Sequence, residues 1–294
     1  MHNYLLKSLE AYFAEILSIE GKLSVLESFL TAQKDSIIAE NRQYKMLVTA
    51  ITTYRDLTLL ETDNNSFTPN YCYDISIDTI DNEIKDIISQ QCCHAIAQGY
   101  EVFESFFLSI LTEFLVRNQK YLHEIKFTEG SNIILVQDTI KKMLKDNQGT
   151  NNKDLIRIVR KVSELFRIHD KRKINSVAIC QWFDVLSMVR HTLIHNRQVI
   201  SPRLLKFLLK DRGNEEIFDK FFKRKRIGDN VCIYLERTTA LDILNWLNSF
   251  AHLIFLCLSN NANLNLSIPQ YLPHSKNLSR FSWTTPFYLI KPLP

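Results

Sequence analysis

The chain has 294 residues, of which 46% are apolar, so it can bury a large core, and its formal net charge is only +4. Glycine (6 residues) and proline (7 residues) are scarce, and neither G-x-G-x-x-G nor G-x-x-x-x-G-K-[ST] occurs. This composition favours helix and argues against Gly-rich nucleotide-binding loops and against many-turned β folds.

The cysteines and the first residues of the chain bear on the cellular compartment of the protein. The six cysteines show no C-x-x-C spacing, which indicates no disulfide framework. The first residues carry charges every few positions and do not form a secretory signal, and no uninterrupted run of about 18 apolar residues indicates a membrane span. We therefore expect a soluble, cytoplasmic protein that makes no membrane contact.

Apolar periodicity predicts an all-α fold with one small β-hairpin. Residues 1–62 are predicted to form an N-terminal helical hairpin, with its second helix over residues 37–57, and a polar linker follows. A main helical bundle is predicted over residues 78–259. Its predicted elements are helices over 78–116, 133–144, 154–166 and 176–200, a helix from Pro202 that ends at Gly213, a hairpin around Gly228, and a helix from Thr238. Asn151 or Asn152 is predicted to cap the helix over 154–166. Residues 260–294, with five of the seven prolines, are predicted to be an irregular tail.

The helix predicted over residues 176–200 is the strongest functional pointer. It begins as an apolar helix and ends in four cationic or titratable side chains, Arg190, His191, His195 and Arg197. Burying such groups at the end of an apolar helix is unfavourable unless they meet partners or a ligand. We therefore expect a binding or catalytic site here.

Arg190 and His195 form an R-x4-H pattern, His191 and Asn196 each follow one of these two residues, and an upstream aromatic run contains Phe103-Glu104. With these residues, 80–258 resembles the HEPN superfamily. The resemblance implies a HEPN-like helical bundle that forms a homodimer, in which the two motifs meet as one metal-independent ribonuclease centre without a cofactor. It implies RNA as substrate, a supporting role for Glu104 and Asn196, and a setting such as a bacterial toxin or anti-phage system with an antitoxin or other partner protein.

The residue chemistry agrees with this implication. Histidine titrates near neutrality, so His195 can move the proton of a 2′-hydroxyl, and His191 is in register to assist at i and i+4. The permanent charge of Arg190 can stabilise a crowded phosphate. However, five residues place Arg190 and His195 about 140° apart on a regular helix. A break in the helix or a second subunit is needed to bring them together.

Basic residues in the predicted hairpin, Lys223, Arg224, Lys225 and Arg226, are predicted to contact RNA together with Arg197. The alternative is a solvated edge strand protected by lysines. Three alternatives also apply to the motif. His191 and His195 form a zinc half-site, with His169 and Glu164 as further ligands. Arg190 pairs with Glu104 or Asp184 and has only a structural role. The third alternative is a non-catalytic HEPN-like module that binds RNA, a nucleotide or a partner protein.

Overall fold

The structure, a computed structural model, describes residues 3–40, 46–55, 66–69, 72–125, 133–146 and 152–266. Most of these residues are helical, so the predicted all-α class is confirmed. This part of the chain has nine α-helices: α1 (Leu6–Glu40), α2 (Ile80–Arg117), α3 (Ile133–Asp146), α4 (Lys153–Val162), α5 (Glu164–His169), α6 (Ile179–His195), α7 (Pro202–Lys210), α8 (Arg212–Phe221) and α9 (Arg237–Asn261). A 3-10 helix, Gln119–Ile125, follows α2.

The strands are short and pair only two by two. In the described ranges they form four antiparallel ladders: β1 (Met46–Ile51) with β4 (Cys72–Ser76), β2 (Tyr54–Arg55) with β3 (Ser66–Phe67), β5 (Lys173–Ile174) with β6 (Val177–Ala178), and β7 (Lys223–Ile227) with β8 (Asn230–Tyr234). The predicted hairpin is confirmed as β7–β8, with Gly228 in the turn at a φ of 57°. The expectation of a single strand pair is wrong.

The second helix of the predicted N-terminal hairpin does not form. The first helix, α1, continues to Glu40, and β1 occupies the centre of the range predicted as helix. Met46–Ile51 contains β-branched residues, which favour strands, and its partner β4 lies far along the chain, where local periodicity cannot reveal it. Residues 56–65, which include the end of that helix and part of the linker, lie outside the described residues.

The core is centred on α2, which α1, α6 and α9 surround. The predicted helix over 78–116 is thereby confirmed, and its apolar residues join those of α1 and α9 in a single cluster. Phe103 lies at the centre of this cluster and is fully buried. Its ring contacts five other aromatic rings: Tyr12, Phe106, Phe107, Phe183 and Phe250.

Two predicted helices have different boundaries in the structure. The helix predicted over 154–166 is divided into α4 and α5 by Ser163, whose Oγ accepts a hydrogen bond from the backbone N–H of Phe166 at 3.3 Å and caps α5. The helix predicted from residue 176 begins at Ile179, because Val177–Ala178 pairs with β5 first. The R-x4-H motif nevertheless lies at the end of the helix, as predicted.

The helix predicted from Pro202 is confirmed as α7, with the Ser201 Oγ accepting a hydrogen bond from the backbone N–H of Leu204 at 3.1 Å. The predicted stop at Gly213 is displaced. This residue lies in the first turn of α8, where its N–H donates to the Asp211 carboxylate at 2.8 Å. The connection between α7 and α8 is therefore a single residue, and the two helices pack against each other closely.

The last helix, α9, is predicted from Thr238 and begins at Arg237. It is the one helix among the described residues that is long and apolar enough to cross a membrane by length and composition, and half of that segment is buried inside the protein. The expectation of no membrane span therefore stays a prediction. Most of the predicted tail, residues 267–294, lies outside the described residues.

Candidate functional site

The last turn of α6 is held in place by an unusual exit from the helix. The N–H of Asn196 donates to the Thr192 carbonyl at 3.0 Å and ends the helix. The next two residues, Arg197 and Gln198, adopt left-handed φ angles of 49° and 70°. The Gln198 carbonyl then accepts a hydrogen bond from the N–H of Ile233 in β8 at 2.9 Å. The hairpin thus fixes the end of the helix that carries the motif.

Arg190 lies at the edge of the α2–α6 contact. Its Nη2 donates to the Glu101 Oε1 at 3.0 Å, and its Cζ lies 5.9 Å from the centroid of the Tyr100 ring. The Arg190 side chain is 26% exposed and that of Glu101 is 55% exposed, so this is a surface ion pair that contributes about 0–1 kcal/mol. The structural alternative named Glu104 or Asp184 as the partner, whereas the contact is with Glu101.

A buried polar network lies beside this pair and connects α2, α4 and α6. The Nδ2 of Asn152 donates to the Tyr100 hydroxyl at 3.0 Å and to the Glu104 Oε1 at 2.8 Å. The Tyr100 hydroxyl also hydrogen-bonds the Ser187 hydroxyl of α6. Burial raises the pKa of Glu104, while the hydrogen bond from Asn152 and the charge of Arg190 oppose this rise. Asn152 thus holds Glu104 beside the Arg190–Glu101 pair, and the supporting role of Glu104 stays a prediction.

Asn152 was one of two candidates, with Asn151, for a side-chain cap of α4, and it is the residue that immediately precedes that helix. Its side chain makes no capping hydrogen bond and is used for the network instead. The backbone of Asn152 is left-handed, with a φ of 57°, and the residue is almost fully buried. Asparagine adopts this conformation more readily than most residues.

The two histidines of the motif contact each other, as their i and i+4 spacing predicts. The centroids of the His191 and His195 rings are 4.6 Å apart, with an interplanar angle of 47°. Burial lowers the pKa of His191, and the nearby positive charges of His195, Arg203 and Arg190 lower it further. His191 is therefore neutral near pH 7 and can accept a proton.

Arg190 and His195 do not converge within one subunit. The helix α6 runs without interruption from Ile179 to His195, so a break in the helix, one of the two alternatives, is absent from this described segment. Their side chains leave the helix about 140° apart. Ile194, which is 40% exposed, lies between them on the helix surface. Arg190 and the two histidines thus form two neighbouring patches rather than one site.

Most hairpin cations that were predicted to bind RNA contact carboxylates. Three of the four do so: Lys223 with Glu236 at 2.6 Å, Arg224 with Asp219 at 3.1 Å and Glu215 at 3.7 Å, and Lys225 with Asp86. The Arg226 Nε donates to the Gly228 carbonyl at 3.3 Å. Arg197 is exposed in the turn after α6. The hairpin therefore offers less uncompensated charge than its sequence indicates.

The sequence prediction omitted Arg203, which is close enough to His191 to lower its pKa. Arg203 lies in the first turn of α7 and lines a surface groove next to the histidines. The signal in the sequence was the short connection between the motif and Pro202, which brings α7 back beside the end of α6.

The zinc alternative requires further ligands close to His191 and His195. Among the residues that the structure describes, no group of three or more His, Cys, Asp or Glu side chains is placed to hold a metal ion. His169, suggested as a third ligand, lines another groove together with residues of α9 such as His252 and Trp246.

Replacing Arg203 by glutamine is expected to raise the pKa of His191, because the substitution removes a positive charge that disfavours the imidazolium ion. The measurement is a titration of the imidazole resonances by NMR from about pH 5 to 8. Arg212→Gln is the matched control, since Arg212 pairs with Glu216 on α8 and should leave His191 unchanged. An equal change in both variants would show that Arg203 does not act on His191 specifically.

Comparisons with protein-family models, with curated proteins and with solved structures found no match for this chain.

Proposed function

We propose that the protein is a metal-independent endoribonuclease of the HEPN type that cleaves RNA by attack of the 2′-hydroxyl on the adjacent phosphate. The observation that carries this proposal is the arrangement at the end of α6. Two histidines in ring contact lie on one side of Ile194, and an arginine at the protein surface lies on the other side. These are the groups that RNA cleavage without a metal requires.

The reaction needs one group to take the proton of the 2′-hydroxyl and another to protonate the leaving 5′-oxygen. His191, whose pKa is lowered, is suited to accept a proton at neutral pH, and the side chain of His195 beside it is exposed to solvent. We assign proton transfer to His195 with the assistance of His191. We assign to Arg190 the stabilisation of the negative charge that develops on the phosphorane, because its planar guanidinium can donate hydrogen bonds to two oxygens.

A second copy of the chain would complete the site. A two-fold axis near Ile194 would exchange the two flanks of the helix, and the Arg190 of one copy would then face the His195 of the other. Exposed apolar side chains on α6 and α7 suit such a contact: Ile194 on α6, and Leu205 and Leu209 on α7. A homodimer is therefore part of the proposal.

A non-catalytic HEPN-like module is the second candidate, and the Arg190–Glu101 ion pair favours it. The carboxylate neutralises the charge that a phosphate would otherwise meet. In such a module the same surface would bind RNA, a nucleotide or a partner protein without cleaving anything. The ion pair does not rule out the enzyme, because Glu101 is exposed. An anionic phosphate could displace the Glu101 carboxylate from Arg190 without opening the core.

Wild-type protein is expected to cleave RNA in the presence of a chelator and to leave 2′,3′-cyclic phosphate ends, whereas Arg190→Ala should reduce cleavage by about 10²–10³-fold. Thermal unfolding of the variant should be nearly unchanged because the ion pair is exposed. Equal background cleavage by both proteins would contradict the enzyme. Unfolding of Arg190→Ala would instead favour the structural role.

If the enzyme acts as a toxin or anti-phage effector, expression of the wild type should arrest growth and Arg190→Ala should relieve the arrest.

A further inference from the structure

An open groove of about 1000 Å³ runs along the surface between α6, α7 and α8, with the first residue of α4 at its rim. Its wall on α6 includes Asp184 and Met188, and its wall on α7 includes Arg203, Lys206 and Phe207. None of these residues belongs to the predicted ribonuclease motif.

The α7 wall carries a line of basic side chains. Arg203, Lys206 and Lys210 are spaced i, i+3 and i+7, so they share one face of the helix and extend over about 10.5 Å along its axis. All three are exposed, and none forms an ion pair with another residue in the part of the chain that the structure describes. This distinguishes them from the hairpin cations, three of which contact carboxylates.

The carboxylates in the groove already have partners. The Asp184 carboxylate lies 3.6 Å from the Lys153 Nζ, and the Asp211 carboxylate accepts hydrogen bonds from the backbone N–H of Gly213 at 2.8 Å and from the Gln181 side chain at 3.3 Å. The three unpaired cations of α7 outnumber Asp211, whose hydrogen-bond partners here are uncharged, so the net uncompensated charge in the groove is positive and attracts an anion.

The groove leads to the two histidines. Asp184, Met188, His191 and His195 follow one another at i, i+4, i+7 and i+11 on α6, which places them on a single face of that helix. The first two line the groove, and His191 lies less than one turn beyond Met188. The electrostatic effect of Arg203 on His191 independently places the first cation of the basic line beside the motif.

We propose that this groove binds the backbone of single-stranded RNA and positions it next to His191 and His195, an assignment that rests on the proposed ribonuclease function. Along one strand of a duplex, successive phosphates are about 3.4 Å apart on the axis, and along an extended single strand they are farther apart. The basic line of about 10.5 Å on α7 therefore spans roughly two or three phosphates of an extended strand. Phe207 is half-buried in the groove wall and offers a ring on which a base can stack.

The combination of cations and an aromatic ring favours RNA over an acidic protein. Carboxylates of a protein partner would use the cations and leave the Phe207 ring without a planar partner, whereas every nucleotide supplies both a phosphate and a base. An acidic protein that occupies the groove is therefore the outcome that would contradict the proposal.

The test measures binding of a fluorescently labelled single-stranded RNA of about ten nucleotides by anisotropy over a series of salt concentrations. The full chain carrying His195→Ala is used, so that cleavage does not interfere. Adding Lys206→Gln and Lys210→Gln is expected to weaken binding about ten- to thirtyfold near 0.1 M salt and to reduce the salt slope by about 1.4. Adding Phe207→Leu should weaken binding severalfold without changing the salt slope.

The matched control adds Lys223→Gln and Lys225→Gln, which remove the same two charges from the hairpin and should have a small effect. Equal losses in the two double variants, or a larger loss in the hairpin variant, would overturn the groove assignment. Equally strong binding of a poly-glutamate peptide would overturn it in favour of an acidic partner. If RNA binds in the groove but the wild type does not cleave it, the ribonuclease proposal fails and the groove assignment stands.

Discussion

Replacing His195 by alanine is expected to slow RNA cleavage by about 10²–10⁴-fold, the range that a positioned acid or base contributes. His195 is exposed at the end of α6, and among the residues that the structure describes its ring contacts that of His191 alone. Its removal should therefore leave the fold and its thermal stability nearly unchanged. The measurement is the rate of cleavage of a labelled RNA with chelator present, together with a thermal unfolding curve for each protein.

His94 provides the matched control for this substitution. It is an exposed histidine on α2 that lies in a shallow groove beside α1, near Leu23 and Leu26, and contacts no part of the motif. His94→Ala should cleave RNA at the wild-type rate. If His195→Ala also cleaves at that rate, the histidine has no role in the chemistry and the endoribonuclease proposal is wrong.

Replacing Phe103 by alanine is expected to lower the free energy of unfolding by about 3–5 kcal/mol. The ring is fully buried and contacts aromatic residues of α1, α2, α6 and α9, so its removal leaves a cavity where these helices meet. Chemical denaturation measures this loss directly. A thermal scan should show a Tm lower by roughly 6–20 °C, and the helix carrying the motif should lose its support on the α2 side.

Phe29→Ala on α1 tests whether the effect depends on position rather than on the residue type. Phe29 is 59% exposed, and a surface substitution of this kind usually changes stability by no more than about 0.5 kcal/mol. A similar loss of stability in both variants would show that the packing around Phe103 stabilises the fold no more than the exposed ring of Phe29 does.

The long helices could be predicted because their signal is local. The apolar residues of α2 and α9 recur at helical spacing over many turns, so their positions follow from the sequence alone. The β7–β8 hairpin is local for the same reason, since Gly228 in the turn joins two adjacent strands.

The errors in the fold arise where the pairing of a strand decides the structure. Met46–Ile51 has apolar residues that also match a helix, and only its pairing with β4 determines that it is a strand. Val177–Ala178 was included in a helix because its apolar residues continue into α6, whereas it pairs with Lys173–Ile174 across a tight turn in which Asn175 and Ser176 have φ angles of 50° and 69°. In both places strand pairing, with a distant partner for β1 and a neighbouring one for β6, overrides the apolar pattern.

The candidate site shows the same division. The contact between His191 and His195 follows from their spacing on one helix, and the structure contains it. The choice of Glu101 rather than Glu104 as the partner of Arg190 depends on how α2 packs against α6, which no local pattern encodes. The proximity of Arg203 to His191 depends likewise on the turn after α6 and its hydrogen bonds to β8.

We propose that Arg190 and His195, held apart on one straight helix, act together because a second copy of the chain brings them onto one phosphate. The direct measurement mixes Arg190→Ala and His195→Ala proteins, after unfolding and refolding together, and compares RNA cleavage with each variant alone. We predict that the mixture recovers up to about a quarter of wild-type activity, because half of the randomly formed dimers would carry one intact composite site. If wild type cleaves RNA and the mixture shows no more activity than the separate variants, the site lies within one subunit and the claim is contradicted.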